Sequence, residues 1–257
     1  MKKILWLLNF IGFDPKIFFY NITGLFWYFK DYRLLRKQLN SKSDFKVNLF
    51  PILRERTEQS GTVSGHYFHQ DLLIAGKIFK NNPHKHIDIG SRIDGFVAHV
   101  ASFREIEVFD IRALTSSIEN VKFKQVDFTN LPEEYFSYTD SLSCLHAIEH
   151  FGLGRYNDSI DVNGHLKGLE SMYKTLKTGG KFYFAAPLGD LRIEFNAHRV
   201  FSIEYLLRLF KDKYKIVSFS YVDDHGNLHK NIELNELAKQ NNFGCKYGCG
   251  IFELHKL

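Results

Sequence analysis

From residue 64 onward, apolar runs of strand length alternate with segments of helical period. "KHIDIG" reads as a first strand ending at Gly90, "EIEVFDI" as a second, "VKFKQVDF" as a third, "DSLSCLH" as a fourth and "KFYFAAP" as a fifth. "YKIVSFSYV" and "GCGIFELHK" bring the expected total to seven, the last two as a late antiparallel pair. Between them lie helices. "GHYFHQDLLIAGKIFKNNP" puts Phe68, Leu72, Ala75, Ile78 and Phe79 on one face and stops at Asn81, Asn82 and Pro83. "GFVAHVASF" follows the first strand. "HLKGLESMYKTLKTGG" turns Leu166, Leu169, Tyr173 and Leu176 inward and closes at Gly179 and Gly180. "SIEYLLRLFK" starts on Ser202 as N-cap. Strands interleaved with helices dictate a mostly parallel sheet, because each parallel crossover carries a helix over a sheet face.

The expected fold class is therefore α/β: a Rossmann-like, seven-stranded, mostly parallel sheet with helices on both faces, plus an N-terminal helical extension. The division is residues 1–60 for the extension and 61–257 for the main domain. The extension is set apart by "KIFFYNITGLFWYFKDYRLLRKQL", where aromatic residues crowd next to a basic end. Its aromatic face suits docking on the main domain; the same segment also suits a peripheral contact with an anionic membrane. No apolar run reaches the roughly 18 residues that span a bilayer. The start, "MKKILWLLNFIGFDP", lacks a small-residue cleavage site and reads as retained. Cys144, Cys245 and Cys249 are odd in number and irregular in spacing, which fits a reducing, cytoplasmic setting with the extension as the membrane-associated part. The net charge of +5 is spread along the chain without a dense Arg/Lys stripe, so nucleic acid is not an expected partner.

In such sheets ligands bind outside the carboxyl ends of the strands. Polar residues stand there in series. Asp88, Gly90, Ser91, Asp94 and Gly95 follow the first strand, Asp110 the second, and Asp127 with Phe128 the third. A glycine turn admits a ligand to the backbone, and an acid about 20 positions on can hold ribose hydroxyls. Asp127 can accept from an adenine amino group with a ring packed beside the base. Taken singly, each aspartate also serves as a helix cap or turn residue. The loop lacks the glycine pairs that accommodate a pyrophosphate, which favours a ligand without phosphate.

The order of glycine loop, ribose acid and adenine acid resembles class I S-adenosylmethionine-dependent methyltransferases. "YFHQDLLIAGKIF", "HIDIGSRIDGFVAHVASFREIEVFDIR", "LHAIEHFGLGRYND" and "RIEFNAHRVFS" resemble an uncharacterised family, domain of unknown function 268. The likeness spans roughly residues 64–255 and implies a methyltransferase-like nucleotide site. Members of that family often occur with surface-polysaccharide biosynthesis genes. The implied cofactor is S-adenosylmethionine, and the implied partner a small-molecule or glycan substrate. In this reading Asp88, Gly90, Ser91, Asp94, Gly95, Asp110, Asp127, Phe128 and His146 hold the cofactor.

His146-x-x-Glu149-His150 has the order of inverted zinc peptidases. A zinc site of that kind needs both histidines on a sustained helix, and the strand before and the glycines after leave little room for one. No metal is therefore expected, and His146 falls at the tip of the fourth strand. His150 is the expected general base for a hydroxyl acceptor, with Glu149 and His198 as further candidates. Arg155, Arg192, Glu194, Asn196 and Arg199 are the expected substrate-binding set, the last four within "PLGDLRIEFNAHRVF". There, polar residues alternate with Leu191, Ile193, Phe195 and Ala197, which places Glu194 and His198 toward one pocket if the segment is extended. An ordinary solvated loop has the same pattern. Asp158 and Asp161 are read as caps of the following helix. The competing functions are a non-catalytic binding module of a glycan assembly complex and a zinc hydrolase.

Overall fold

The computed structural model describes residues 10, 12–39, 46–58, 60–61 and 63–257, with the side chains of residues 237 and 238 left aside. The apolar start read as retained lies largely outside the described residues. The chain divides into two compact units, residues 1–62 and residues 63–257.

In the first unit, helix α1 spans Pro15–Gln38. Asp14, which breaks the apolar pattern in sequence, is its N-cap: Oδ1 accepts from the Lys16 and Ile17 amides at 2.8 and 3.2 Å, and Pro15 fills the first helical position. Segment 49–53 crosses the helix at Gly24, where a Cβ would lie 2.8 Å from that of Leu53. The Tyr28 hydroxyl accepts from the Phe50 amide at 2.9 Å, and Arg56 pairs with Asp31 at 3.0 Å. Among the described residues no helix is long and apolar enough to cross a membrane.

The second unit is built on one eight-stranded sheet. Its strands are β1 (His86–Ile89), β2 (Ile106–Asp110), β3 (Val121–Gln125), β4 (Thr139–Leu145), β5 (Leu176–Leu188), β8 (Tyr214–Val222), β9 (Leu228–His229) and β10 (Gly248–Lys256). The order is β3-β2-β1-β4-β5-β10-β8-β9. The first five are parallel, and β10 runs antiparallel between β5 and β8. The count is eight rather than seven because Leu228–His229 adds a two-residue edge strand to β8. A separate hairpin, β6 (Arg192–Glu194) with β7 (His198–Val200), follows β5.

Alternation along the strands feeds two cores. Ile87, Ile89, Leu142, Cys144, Phe182 and Phe184 face one way, toward helices α4 (Gly164–Thr175) and α5 (Ile203–Phe210). Val108, Leu145, Tyr183 and Ala185 face the other, toward α2 (His66–Asn81) and the short α3 (Ala98–Ala101). Each fully buried Phe or Ile contributes roughly 1.5–3 kcal/mol. Ser202 caps α5, accepting from the Tyr205 amide at 3.2 Å, and α2 stops at Asn81, with Asn82 left-handed behind it.

Two helix faces differ from the sequence expectation. In α2 the buried stripe is Gln70, Asp71, Ile74, Ala75 and Ile78, while Phe68, Leu72 and Phe79 are exposed. Counting apolar residues misplaced the stripe because two of its members are polar; Gln70 donates to Asp71 at 3.1 Å. In α4 the buried residues include Gly164, His165, Gly168, Ser171 and Met172, and Leu166 is exposed. The helix packs through small residues: a Cβ on Gly168 would meet the Phe151 ring at 2.6 Å. Leu176, Gly179 and Gly180 already belong to β5.

Beneath the first loop lies a buried polar chain. Asp88 accepts from the Ser91 amide (3.0 Å), the Ser91 hydroxyl (2.9 Å) and the Ser143 hydroxyl (2.5 Å), and Ser143 in turn meets His86 Nε2 at 3.1 Å. Burial raises the Asp88 carboxyl to about 7, against the opposing pull of these donors. A carboxyl raised in the folded state stabilises fully below its unfolded value and loses that contribution as pH climbs through the folded one. Asp88→Asn keeps an acceptor and cannot ionise. The stability of the wild type relative to Asp88→Asn should fall from about pH 4 to about pH 7 and level off above. Urea denaturation across that range measures it; a flat difference would mean that the carboxylate is ionised throughout.

Candidate functional site

Strand order reverses between β1 and β4, which are neighbours although β2 and β3 intervene in sequence. Such a switch point opens a crevice at the carboxyl ends. A cavity of about 630 Å³ lies there, within the range of small-molecule sites. Gly90 turns out of β1 with φ +73°, and a Cβ there would lie 2.9 Å from Ala147 Cβ.

Of the residues expected at a cofactor, Gly90, Ser91, Asp110, Asp127, Phe128 and His146 line this cavity. Asp110 is held by Arg112, which donates its amide (2.8 Å), Nε (3.0 Å) and Nη2 (2.5 Å) to the carboxylate. Asp127 accepts from the Thr129 amide (2.8 Å) and hydroxyl (2.7 Å), both through Oδ1, which leaves Oδ2 for a ligand donor. Phe128 is buried, its ring 5.8 Å from that of Phe109. Asp88 sits beneath the loop and shapes it. Asp94 is exposed and bound by Arg92 at 2.9 and 2.6 Å; with Gly95 it borders a smaller cavity of about 220 Å³.

The H-x-x-E-H run does not form a helix. His146 directly follows β4 with φ +52°, and Ile148–His150 make a single 3₁₀ turn. His146 Nδ1 donates to Glu149 Oε1 at 2.8 Å, so Glu149 is a buried orienting group. His150 Nδ1 donates to the Ala197 carbonyl at 2.7 Å, which leaves Nε2 as the lone-pair nitrogen of the neutral ring. Burial lowers the His150 pKa, opposed by Glu149. His198 also lines the cavity, its ring perpendicular to that of His150 at 6.5 Å. His146 Nε2, Glu149 Oε2 and His198 Nε2 are buried without hydrogen-bond partners. Orphaned polar atoms around one cavity are what a missing polar ligand leaves behind.

The expected substrate set divides. Arg155 lines the cavity and donates to the Ala197 carbonyl at 3.0 Å. Arg192 and Glu194 pair with each other at 2.8 Å away from the cavity lining, and Asn196 is exposed at the hairpin turn. The segment turns back on itself, so His198 enters the cavity without Glu194, and Leu191, Ile193 and Phe195 are exposed. Arg199 is buried: Nη1 donates to the carbonyls of Phe151 (2.6 Å) and Glu149 (3.4 Å), Nη2 to those of Val162 (3.3 Å) and Asp161 (3.5 Å). It clamps the site loop and is not among the residues that line the cavity. Asp158 is no helix cap; it accepts from the Gly152, Gly154 and Tyr156 amides and lines the cavity. Asp161 accepts from the Asn163 amide at 2.8 Å, just before α4.

Residues that sequence reasoning missed are Arg112, Tyr156, Tyr67 and Tyr247. Arg112 stacks on Tyr156 at 4.5 Å, which ties the loop after β2 to the loop after β4. Tyr67 and Tyr247 come from opposite ends of the unit, and no local motif marks them. Beside them, a ligand atom each of His66, His146 and Cys249 lie within 4.8 Å of one another.

A model of the family described as "Caenorhabditis protein of unknown function, DUF268" matches residues 98–248. The chain belongs to that family. No curated protein matches it. Among solved structures, the (4+2)-cyclase SpnF is 12% identical with a TM-score of 0.53, over 73% of this chain and 80% of that one. The 1,6-didemethyltoxoflavin-N1-methyltransferase of Burkholderia thailandensis, with S-adenosylhomocysteine bound, gives 12% and 0.52 over 73% and 78%. The N-methyltransferase NodS of Bradyrhizobium japonicum WM9, also with S-adenosylhomocysteine, gives 11% and 0.50 over 74% and 87%. What these share with the chain is the Rossmann-like methyltransferase fold.

The Arg199 clamp generates a prediction. Arg199→Met keeps the apolar stem and strips the donors from the carbonyls of the site loop. The expected loss is about 3 kcal/mol, the scale of hydrogen bonds to a charged group plus carbonyls left bare. Urea denaturation measures it. An unchanged midpoint would return Arg199 to the candidates for ligand binding.

Proposed function

We propose that the chain is an S-adenosylmethionine-dependent methyltransferase that modifies a hydroxyl of a small molecule. The observation that carries the reading is the convergence, on one cavity, of the Gly90 turn, Asp110, Asp127 and an imidazole whose tautomer is set by a backbone carbonyl. The residues fit the cofactor. The Gly90 turn leaves room that a single Cβ would fill, Asp110 suits the ribose hydroxyls, and the remaining oxygen of Asp127 suits the adenine amino group. When bound, the cofactor supplies a methyl group already activated on a sulfonium. His150 Nε2 then takes the acceptor's hydroxyl proton, and the Ala197 carbonyl keeps the ring turned for it. Arg155 and His198 orient the acceptor, and holding it in line supplies much of the rate.

The acceptor class we propose is a sugar or glycan precursor. The polar wall of His150, His198, Arg155 and Asp158 supports it, together with the gene association that the family resemblance implies. Residues 1–60 are proposed as an extension outside this chemistry, with peripheral membrane contact as its finer role. The fold by itself does not choose a reaction, since a cyclase shares it with two N-methyltransferases.

Calorimetry with S-adenosylmethionine and S-adenosylhomocysteine tests the reading. Both should bind, and Asp110→Ala should weaken S-adenosylhomocysteine by about 2 kcal/mol, the scale of a hydrogen bond to a charged group. Unchanged affinity in a folded variant would remove Asp110 from the ribose. Once an acceptor is found in extracts, His150→Ala should lower turnover by about 10²-fold or more, with S-adenosylhomocysteine affinity within about threefold. Because burial lowers the His150 pKa, the rate should hold at neutral pH and fall only on the acid side of 6.5. Cofactor binding with no turnover on any acceptor would leave a binding module.

A further inference from the structure

Behind His146, which lines the cavity, three parts of the chain far apart in sequence bring together donors that oxygen-seeking chemistry would not select. His66 opens α2, His146 directly follows β4 and Cys249 lies in β10. One ligand atom from each falls within 4.8 Å of the others. Around a tetrahedral zinc-class ion, nitrogen and sulfur ligands stand about 3.4–3.6 Å apart. Closing the difference requires the His66 ring to turn out of its stack on His146.

The hydrogen bonding prepares His146 for such a role. Its Nδ1 donates to Glu149, which leaves Nε2 as the ligating nitrogen of the neutral ring. That Nε2 is buried with no hydrogen-bond partner, on a side chain only 4% exposed. A histidine held by a carboxylate on one nitrogen and bare on the other is the arrangement found behind metal-ligating imidazoles. The His66 ring lies parallel to His146, 10° between planes and 5.1 Å between centroids. Cys249 is fully buried; its sulfur lies 3.8 Å from Gln70 Oε1 and 3.9 Å from the Gly250 carbonyl, and it interacts with His146.

We infer that His66, His146 and Cys249 form a binding site for one zinc-class divalent ion, with Glu149 as the orienting carboxylate behind His146. The ion displaces the thiol proton of Cys249 to solvent and joins a thiolate and two imidazoles. Gln70 Oε1, 3.8 Å from Cys249 Sγ, is a further oxygen beside the three donors. This site is not the H-x-x-E-H pattern read as a peptidase motif: of that run only His146 is a ligand here, and His150 is turned to the Ala197 carbonyl. Two imidazoles and a thiolate select zinc or cobalt and reject magnesium and calcium.

The test uses the full chain, dialysed against a chelator and then titrated with cobalt(II) or zinc chloride. One ion should bind per chain, and cobalt should show a thiolate-to-metal charge-transfer band in the near ultraviolet. Cys249→Ser should lose that band. His66→Ala, at a partly exposed position, should lower zinc affinity at least about tenfold, and Glu149→Gln should do likewise while keeping the band. Circular dichroism shows which variants fold; if Cys249→Ser does not, His66→Ala carries the test. Zinc should raise the melting temperature of the chelated chain, and magnesium should not. The inference is overturned if stoichiometric cobalt gives no charge-transfer band. A band that survives both Cys249→Ser and His66→Ala, or equal stabilisation by magnesium, also overturns it.

Discussion

A single methyl group at Gly90 would collide with the loop after β4 on which the site depends, because its carbon would stand 2.9 Å from Ala147 Cβ. That closeness follows from the sheet order. β1 and β4 are neighbours, and their outgoing loops part in opposite directions around a common gap. The turn needs positive φ as well as space, and glycine supplies both. Below it, Asp88 gathers the Ser91 amide and hydroxyl and the Ser143 hydroxyl, fixing the loop from underneath. The first strand's acid is thus part of the scaffold, and the cavity begins one residue beyond it.

The second organising device is the use of buried acceptors to orient imidazoles. A carbonyl only accepts, so Ala197 obliges His150 to present Nδ1–H and keep Nε2 bare. Glu149 imposes the same tautomer on His146. Both acceptors need their own backbone held still. The Ala197 carbonyl takes a second bond from Arg155, and Arg199 ties the carbonyls of Glu149 and Phe151 to those of Asp161 and Val162. α4 packs through Gly168 onto the Phe151 ring of the same turn. The orientation of His150, and with it the role proposed for it, therefore rests on backbone atoms that no motif names.

This explains what was legible in the sequence and what was not. Strand positions and their carboxyl-end residues could be read because period-two apolar runs and glycine turns are local signals. Gly90, Asp110, Asp127, His146 and His150 were found in that way. The helix faces were harder: α2 buries Gln70 and Asp71, and α4 buries glycines and a serine, so hydrophobic counting pointed at Phe68, Leu72 and Leu166 instead. The hairpin after β5 was read as one extended segment. Its turn separates Glu194 from His198 functionally while keeping them paired across the strands. Arg199 resembled a substrate clamp because its charge was visible and its buried carbonyl partners were not. Tyr67, Tyr247, His66 and Cys249 come beside His146 only through tertiary folding.

The polar lining of the cavity falls into two groups. Asp110 and Asp127 follow β2 and β3, the positions proposed above for the ribose and adenine parts of the cofactor. His146, His150, His198 and Arg155 stand on the β4 and hairpin side, interleaved with Glu149 and Asp158. Arg112 spans the border, its guanidinium paired with Asp110 and stacked on Tyr156 from the loop after β4. Under the proposed function, ribose hydroxyls at Asp110 would compete with this guanidinium, so one side chain joins the residues after β2 to the loop after β4.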